Sequence, residues 1–281
     1  MSIMKKLKEY LNRPLSFAVF LLIIISTVIT ALTVVFIIGY IFIKGVPNLS
    51  LDLFSLKYSS SNQSMLPSII NTVYLTALTL LLAVPIGIFS AIYLAEYSRK
   101  NSFFVKIINI ANETLSGIPS IVYGLFGFLA FVISKKWGYS LLAGVITLAI
   151  MVLPLIIRTS QEAMLGVDDT FREASYGLGA GKLRTVFKIV LPSAMPGILS
   201  GIILAIGRIV GETAALIYTA GTVPEAATKL TSSSRTISVH LYCLLNEGLY
   251  TEQAYATAVV LIVFVVIINA LSNALAKKIM K

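Results

Sequence analysis

Charged residues are scarce in this sequence, because Asp, Glu, Lys and Arg together make up only 12% of its 281 residues. A soluble domain carries about a quarter of such residues, so this chain has too few charges to cover a surface that faces water. Hydrophobic residues make up 57% of the chain, and the bilayer must therefore be its main solvent. The composition predicts an integral membrane protein.

Residues that form disulfides or bind metals are nearly absent. The chain has one cysteine, Cys243, and one histidine, His240. A single cysteine cannot form an internal disulfide, and a single histidine leaves neither a histidine cluster for a metal nor an obvious catalytic triad. We interpret both residues as structural, and we expect no metal, no bound cofactor and no covalent chemistry on this chain.

Long apolar segments are what the sequence has in abundance. A transmembrane helix needs about 20 such residues, and six segments qualify: 17–43, 68–95, 107–134, 138–157, 196–221 and 254–276. The first follows a basic stretch, as a signal peptide would. It is longer than the roughly 7–15 apolar residues of a signal-peptide core and is not followed by a small-residue cleavage site. We therefore predict a retained first transmembrane helix.

The net charge of +10 predicts a membrane orientation rather than nucleic-acid binding, because the basic residues lie between the apolar segments. With six spans and both termini in the cytoplasm, fifteen of the 22 Lys and Arg face the cytoplasm and six face outward. This bias agrees with the positive-inside rule. We expect a multi-pass protein of the cell membrane, in contact with lipid, with both termini cytoplasmic.

The domain organisation follows from these spans. Residues 1–67 hold a cytoplasmic tail, the first helix and an external loop; residues 68–275 form a transmembrane core; residues 276–281 form a second cytoplasmic tail. A long cytoplasmic loop at about 159–195 interrupts the core. The external stretch 222–252 is expected to contain a short helix at 237–249.

The long cytoplasmic loop contains a motif with specific spacing. It resembles the coupling motif of ABC importer permeases, which is Glu-Ala-Ala, three residues, Gly, nine residues and Ile-x-Leu-Pro. Six positions match: Glu173, Ala174, Gly179, Ile189, Leu191 and Pro192. Ser175 departs from the usual alanine. The resemblance implies a short helix that docks into an ATPase subunit, and the alternative is an amphipathic helix that lies on the membrane surface.

The same loop contains a sequence that looks like a phosphate-binding loop but lacks its required residues. Tyr176 stands where the first glycine belongs, and Leu183 stands where Ser or Thr should follow Lys182. We therefore predict that this chain binds no ATP, and that ATP and Mg²⁺ belong to a partner ATPase.

Two charged residues lie inside the fifth apolar segment. Arg208 and Glu212 are four residues apart, which places them on one face of a continuous helix. Gly197, Gly201 and Ala205 extend this face and favour close helix packing. Charges at membrane depth are costly and are usually functional. These two residues are expected to line an anion pathway, and the alternative is a buried ion pair that locks the helix bundle.

The surrounding residues resemble those of phosphate importer permeases. Residues 207–214 contain their Arg-x-x-Gly-Glu-Thr stretch, and residues 84–97 and 117–126 resemble two further stretches. The resemblance covers about residues 68–275 and is to the PstA type. It implies a type I (MetI-like) ABC importer fold, with a PstC-type permease, an ATPase dimer and an extracytoplasmic phosphate-binding protein as partners.

The chemistry of phosphate suggests roles for the two charges. Arg208 could donate charge-assisted hydrogen bonds to the anion. Glu212 could accept the proton that phosphate keeps near neutral pH, and it could repel sulfate, which has none. Three further residues are expected along the pathway: Arg158, Glu113 and Ser120. For Arg158 the alternative is snorkelling to headgroups. Asn112 and Glu113 lie just before a helix break expected at Pro119, where broken backbone can line a cavity, and their alternative is helix packing.

Two other functions stay open at this point. A permease for sulfate or molybdate would share the coupling motif, although the Arg-x-x-Gly-Glu-Thr stretch argues against it. A self-standing channel or a membrane enzyme belongs to a different class. An enzyme should cluster His, Cys or acidic groups at one depth, and no such cluster is visible in the sequence.

Overall fold

The computed structural model describes residues 14–98 and 102–279. All regular structure in these residues is helical, as the sequence predicts. The basic residues of the N-terminal tail, Arg99, Lys100 and Lys281 contribute to the charge bias, and they lie outside the described residues. The orientation of the termini stays a prediction.

Within residues 14–98 and 102–279, five helices are long and apolar enough to cross a membrane. They are α1 (Pro14–Gly45), α2 (Leu66–Ile92), α5 (Leu141–Leu165), α8 (Leu191–Gly211) and α11 (Thr251–Ile279). A helix satisfies its backbone hydrogen bonds internally, and a segment in lipid must do so. The number of spans reaches the predicted six if the bent third segment counts as one span.

The third span is not one straight helix. Helix α3 (Phe103–Ser116) and helix α4 (Ser120–Gly127, continued by a π-helical turn to Ser134) meet at an angle of 101°. Pro119 lacks a backbone N–H and adopts an extended conformation with ψ of 142°, so the helix cannot run through it. The break expected at Pro119 within the 107–134 span is confirmed.

The fifth span differs from its predicted bounds at both ends. Helix α8 begins at Leu191 and continues directly from a π-helical turn over Val186–Val190, so the helical run starts well before residue 196. It ends at Gly211, and Glu212 follows in an extended conformation. The chain then forms the short helix α9 (Ala214–Thr219). An unbroken helix over 196–221 is therefore wrong.

Helix α5 occupies the centre of the bundle and packs between α2 and α8. Small residues bring these helices close together. A Cβ atom on Gly87 of α2 would lie 2.6 Å from Ile156 Cγ2 of α5, and one on Gly197 of α8 would lie 2.6 Å from Ala163 Cβ. The close packing predicted from Gly197, Gly201 and Ala205 is confirmed, with α5 as the partner helix.

One buried side chain of the second span makes three hydrogen bonds to the long stretch predicted to be external. Asn71 of α2 donates to the carbonyl oxygens of Glu225 (2.9 Å) and Arg235 (3.2 Å), and its Oδ1 accepts from the N–H of Ala227 (2.8 Å). The short helix α10 (Ile237–Glu247) follows, which confirms the helix expected there. This stretch is therefore a docked part of the fold.

His240 of α10 lies outside the membrane-spanning helices and is fully buried. The ring of Tyr58 packs edge-on against it and also faces the guanidinium of Arg235, 4.7 Å from the ring centroid. Burial and then the Arg235 charge lower the pKa of His240 to about 3. The folded protein therefore keeps this imidazole neutral at any ordinary pH.

We expect acid to destabilise the protein through His240. The unfolded chain takes up a proton on this imidazole below about pH 6.5, whereas the folded chain does so only near pH 3. The contribution of His240 to the free energy of unfolding therefore has its full value above pH 6.5. Below that pH the free energy of unfolding falls by about 1.4 kcal/mol per pH unit. Thermal unfolding of the purified protein between pH 8 and pH 5 measures this slope. The variant His240→Gln should flatten it, and an unchanged slope would contradict the assignment.

Candidate functional site

The two broken spans meet inside the bundle. Helix α4 packs directly on helix α9, and a Cβ atom on Gly124 would lie 2.8 Å from the Cα of Ala215. Gly127 packs against Thr147 of α5 and Thr219 of α9. Only glycine allows two backbones to come this close. Both short helices begin at an interruption of a span, where irregular backbone is tolerated only if protein or an aqueous cavity surrounds it.

Glu212 lies at the interruption between α8 and α9. Its side chain is only 8% exposed, and its Oε1 accepts a hydrogen bond from the N–H of Ala215 at 3.1 Å. Its backbone carbonyl accepts a hydrogen bond from Ser238 Oγ at 2.7 Å. A carboxylate is favoured at the N-terminus of a helix, where free N–H groups point outward. Glu212 therefore holds the first turn of α9.

Arg208 lies one turn before this interruption and is half-buried. In the described part of the chain there are three ion pairs, and none of them joins Arg208 to Glu212. The shared helix face predicted from their spacing is wrong, because the helix ends at Gly211 and the extended backbone turns Glu212 toward α9. The alternative of a buried ion pair that locks the bundle is not formed.

The five predicted pathway residues fall into two groups. Ser120 is the first residue of helix α4, which packs on α9, whereas Arg208 lies in the last turn of α8 and Glu212 directly after it. Arg158 and Glu113 line a different cavity of about 200 Å³ between α3 and α5. The five residues therefore do not all line one cavity in the described structure, and their place in a pathway stays a prediction.

The cavity at Arg158 also contains Glu162 and Gln161, for which no role was predicted from the sequence, beside Asn112, which was expected to line a cavity near Pro119. Arg158 Nε donates to Glu162 Oε1 at 2.9 Å, with both side chains more than half exposed. Gln161, Asn109 and Asn112 complete the polar lining. The spacing of four residues between Arg158 and Glu162 is a helical ion-pair signal, so the sequence could have indicated this partner.

The short helix predicted in the long loop is present as α6 (Asp169–Gly177), and its coupling to an ATPase stays a prediction. Asp168 caps it, because its Oδ1 accepts from the N–H of Thr170 at 2.9 Å. Hydrogen bonds from Thr170, first from its backbone and then from its side chain, hold the pKa of Asp168 below its usual value. A capping carboxylate of this kind is a strong helix-start signal.

A nearly buried ion pair fixes α6 to the membrane core. Arg172 donates to Glu96 Oε1 through Nη2 at 2.7 Å and through Nε at 3.1 Å. It also donates to the carbonyl oxygens of Met164 (2.8 Å) and Val167 (2.7 Å). Glu96 follows the second span and Met164 lies in the last turn of α5, so Arg172 joins α6 to the ends of both spans. No role was predicted for either residue of this pair.

The end of α6 explains the matched glycine and the unusual serine. Gly179 has φ of +80°, which disfavours residues with a side chain. The N–H of Gly179 donates to the carbonyl oxygen of Tyr176, and the N–H of Ala180 donates to the carbonyl oxygen of Ser175. These two hydrogen bonds satisfy carbonyl groups at the C-terminus of α6. Ser175 is buried, and its hydroxyl lies 2.8 Å from Thr185 Oγ1. This bond joins α6 to the following helix α7 (Lys182–Thr185).

The six motif residues differ in their accessibility. Glu173, Ala174, Gly179 and Pro192 are exposed, whereas Ile189 and Leu191 are half-buried. Leu178 is 90% exposed between them, and Phe171 and Leu183 are exposed as well. A Cβ atom on Gly179 would meet nothing in this chain. The loop therefore presents an apolar surface with charged neighbours, which is typical of a site for another protein.

Comparison with known proteins agrees with this architecture. The family described as "Binding-protein-dependent transport system inner membrane component" matches residues 83–281. The probable ABC transporter permease protein YqgI of Bacillus subtilis (strain 168) is 32% identical over 249 residues, which are 82% of this chain and 84% of that protein. The phosphate transport system permease protein PstA of Yersinia pestis is 34% identical over 240 residues, 84% of this chain and 81% of that protein.

Solved structures show the same fold at low sequence identity. A chain of a bacterial ABC transporter that imports the acidic polysaccharide alginate matches with a TM-score of 0.67 and 18% identity, over 99% of this chain and all of that chain. A chain of the MetNI methionine ABC transporter matches with a TM-score of 0.58 and 17% identity, over 76% of this chain and 94% of that chain. The type I (MetI-like) importer fold predicted from the sequence is confirmed. The chain therefore belongs to the inner membrane components of binding-protein-dependent transport systems, as a multi-pass permease subunit of an ABC importer and not as an enzyme.

Proposed function

We propose that the permease imports inorganic phosphate, with Arg208 and Glu212 as residues of its transmembrane pathway. The observation that carries this proposal is the interruption of the fifth span. There a half-buried guanidinium that Glu212 does not neutralise lies one turn from a buried carboxylate. A cation at membrane depth needs a counter-charge, and a transported anion would supply one.

The two charges together suit an anion that carries a proton. Arg208 can donate several hydrogen bonds to oxyanion oxygens. One oxygen of Glu212 holds α9, and no hydrogen bond from the described residues reaches the other. That oxygen could accept a hydrogen bond from the P–OH group of phosphate, whereas it would repel sulfate, which has no proton to donate. The names of the PstA relatives support the same substrate.

The coupling loop is the second part of the proposal. We infer that α6 docks into one subunit of an ATPase dimer through Glu173, Ala174 and Gly179, while the helical residues from Ile189 to Pro192 lead into the fifth span. The Arg172–Glu96 ion pair then passes ATPase closure to the second and fourth spans. ATP and Mg²⁺ belong to that partner, and this chain needs no cofactor of its own.

The remaining parts complete an importer. A PstC-type permease would supply the other half of the pathway, and an extracytoplasmic binding protein would deliver phosphate. The cavity at Arg158 and Glu113 would form the cytoplasmic exit, with both termini on the same side. The surrounding partner is membrane lipid, and nucleic acid has no part in this function.

The test is uptake of labelled phosphate by cells that depend on this permease complex. We expect uptake that needs ATP and the ATPase partner, that unlabelled phosphate inhibits, and that a large excess of sulfate or molybdate leaves unchanged. Inhibition by sulfate or molybdate would show that the substrate is another oxyanion. Uptake that persists without the ATPase would contradict an importer and favour a channel.

A further inference from the structure

The break in the fifth span is held open from the outer side of the protein by a chain of hydroxyl groups. Ser238, in the first turn of α10, is buried, and its Oγ lies 2.7 Å from the backbone carbonyl oxygen of Glu212. Thr236 Oγ1 lies 3.0 Å from Ser238 Oγ. These contacts link residues that are 26 positions apart in the sequence.

The direction of the hydrogen bonds follows from the chemistry of the groups. A carbonyl oxygen only accepts, so the single proton of the Ser238 hydroxyl must point to Glu212. The Thr236 hydroxyl must then donate to Ser238 Oγ, and it also accepts from the N–H of Val239 at 3.4 Å. The chain therefore runs in one direction, from the start of α10 to the backbone of Glu212.

The outer end of this chain is firmly anchored. The N–H of Ile237 donates to Thr72 Oγ1 of the second span at 2.9 Å. The carbonyl of Arg235 accepts from Asn71, and the N–H of Arg235 donates to Val223 at 3.0 Å. Ser238 is thus fixed relative to α2, and through Ser238 the break at Glu212 is fixed to α2 as well.

We propose that Ser238 is a positioning residue for anion recognition, which keeps the Glu212 carboxylate at its place in the pathway. This inference rests on the proposed function of Glu212. Without the Ser238 hydroxyl, the carbonyl of Glu212 has one bonding partner fewer, and a buried carbonyl without a partner is unfavourable. The backbone would then move toward a continuous helix, and the carboxylate would leave its position at α9.

The first test measures phosphate uptake by the complete importer with Ser238→Ala. We expect the KM for phosphate to rise by about five- to tenfold, the range of a lost hydrogen bond in a buried site, and we expect sulfate to become an inhibitor. Ser238→Thr keeps the hydroxyl and should restore both properties. A lower maximal rate with unchanged KM and unchanged sulfate exclusion would show a merely structural role and overturn the proposal.

The matched control is Ser160→Ala. Ser160 is also fully buried, but its hydroxyl has no hydrogen-bond partner among the described residues. Removing it should leave the KM and the sulfate exclusion unchanged. An equal effect of both alanine variants would mean that any buried serine in the bundle has this influence, and it would contradict the assignment to Ser238.

A second test does not depend on the substrate. Ser238 bonds to the backbone carbonyl of residue 212, so the variant Glu212→Cys keeps this hydrogen bond. Its thiol can be labelled selectively when the native cysteine is removed by Cys243→Ala. We expect a membrane-impermeant thiol reagent to react several-fold faster with this cysteine when Ser238 is also replaced with Ala, and not when Ser160 is. Equal rates would overturn the positioning role. If instead the rates differ and wild-type cells take up no phosphate, the proposed substrate is wrong and the positioning role stands.

Discussion

Replacing Arg208 with Gln is expected to lower phosphate uptake by roughly 100-fold. Hydrogen bonds to charged groups contribute about 1.5–3 kcal/mol each, and every 1.4 kcal/mol corresponds to a factor of ten. The loss should be large because no acidic side chain of the described chain pairs with Arg208. Its charge is therefore free to act on the anion. Labelled-phosphate uptake, normalised to the amount of assembled complex, measures the effect.

Two further variants make this result specific. Arg208→Lys keeps the charge but loses the planar arrangement of donors, so it should retain a partial rate. Lys277→Gln removes one exposed positive charge from the far end of α11, and it should transport like the wild type. Normal uptake by Arg208→Gln would reduce Arg208 to a structural residue and would remove the main support for the proposed pathway.

Replacing Arg172 with Met should destabilise the protein by about 3–5 kcal/mol, the cost of breaking a buried ion pair by removing one partner. Both side chains are nearly buried, with 13% of Arg172 and 6% of Glu96 exposed. Met would leave the Glu96 carboxylate without its cation, and α6 would lose its attachment to the ends of the second and fourth spans. Thermal unfolding of the purified complex and co-purification of the ATPase measure the two consequences.

Two comparisons test this explanation. The double variant Arg172→Met with Glu96→Gln should recover part of the lost stability, because the unpaired charge is removed. Glu162→Gln breaks the Arg158–Glu162 pair, which is mostly exposed, and should change stability by less than about 1 kcal/mol. Equal destabilisation by Arg172→Met and Glu162→Gln would show that burial of the pair has no special effect.

Several features of the fold follow directly from the order of the residues. A run of apolar residues in lipid must form a helix, so the long helices α1, α2, α5, α8 and α11 were predictable from hydropathy. Pro119 predicted the break in the third span, because proline cannot donate a backbone hydrogen bond. The spacing from Glu173 to Pro192 predicted a short helix in the cytoplasmic loop, and α6 lies there.

Other features were invisible in the sequence because distant residues create them. The residues around Glu212 have no proline, and local spacing predicts a helix through Arg208 and Glu212. The carbonyl bond from Ser238 and the packing of Gly124 on Ala215 override this preference. The Arg172–Glu96 pair was missed for the same reason, since 76 positions separate its two members.

The sequence by itself determined that the chain spans the membrane, where its apolar helices lie, and which loop carries the coupling motif. Those properties depend on composition and on short-range spacing, which act before the chain folds. Only the tertiary structure decided that the fifth span ends at Gly211, that Arg208 and Glu212 do not pair, and that Ser238 holds the break. Those outcomes depend on which buried groups find hydrogen-bond partners, and the partners come from segments far apart in the chain.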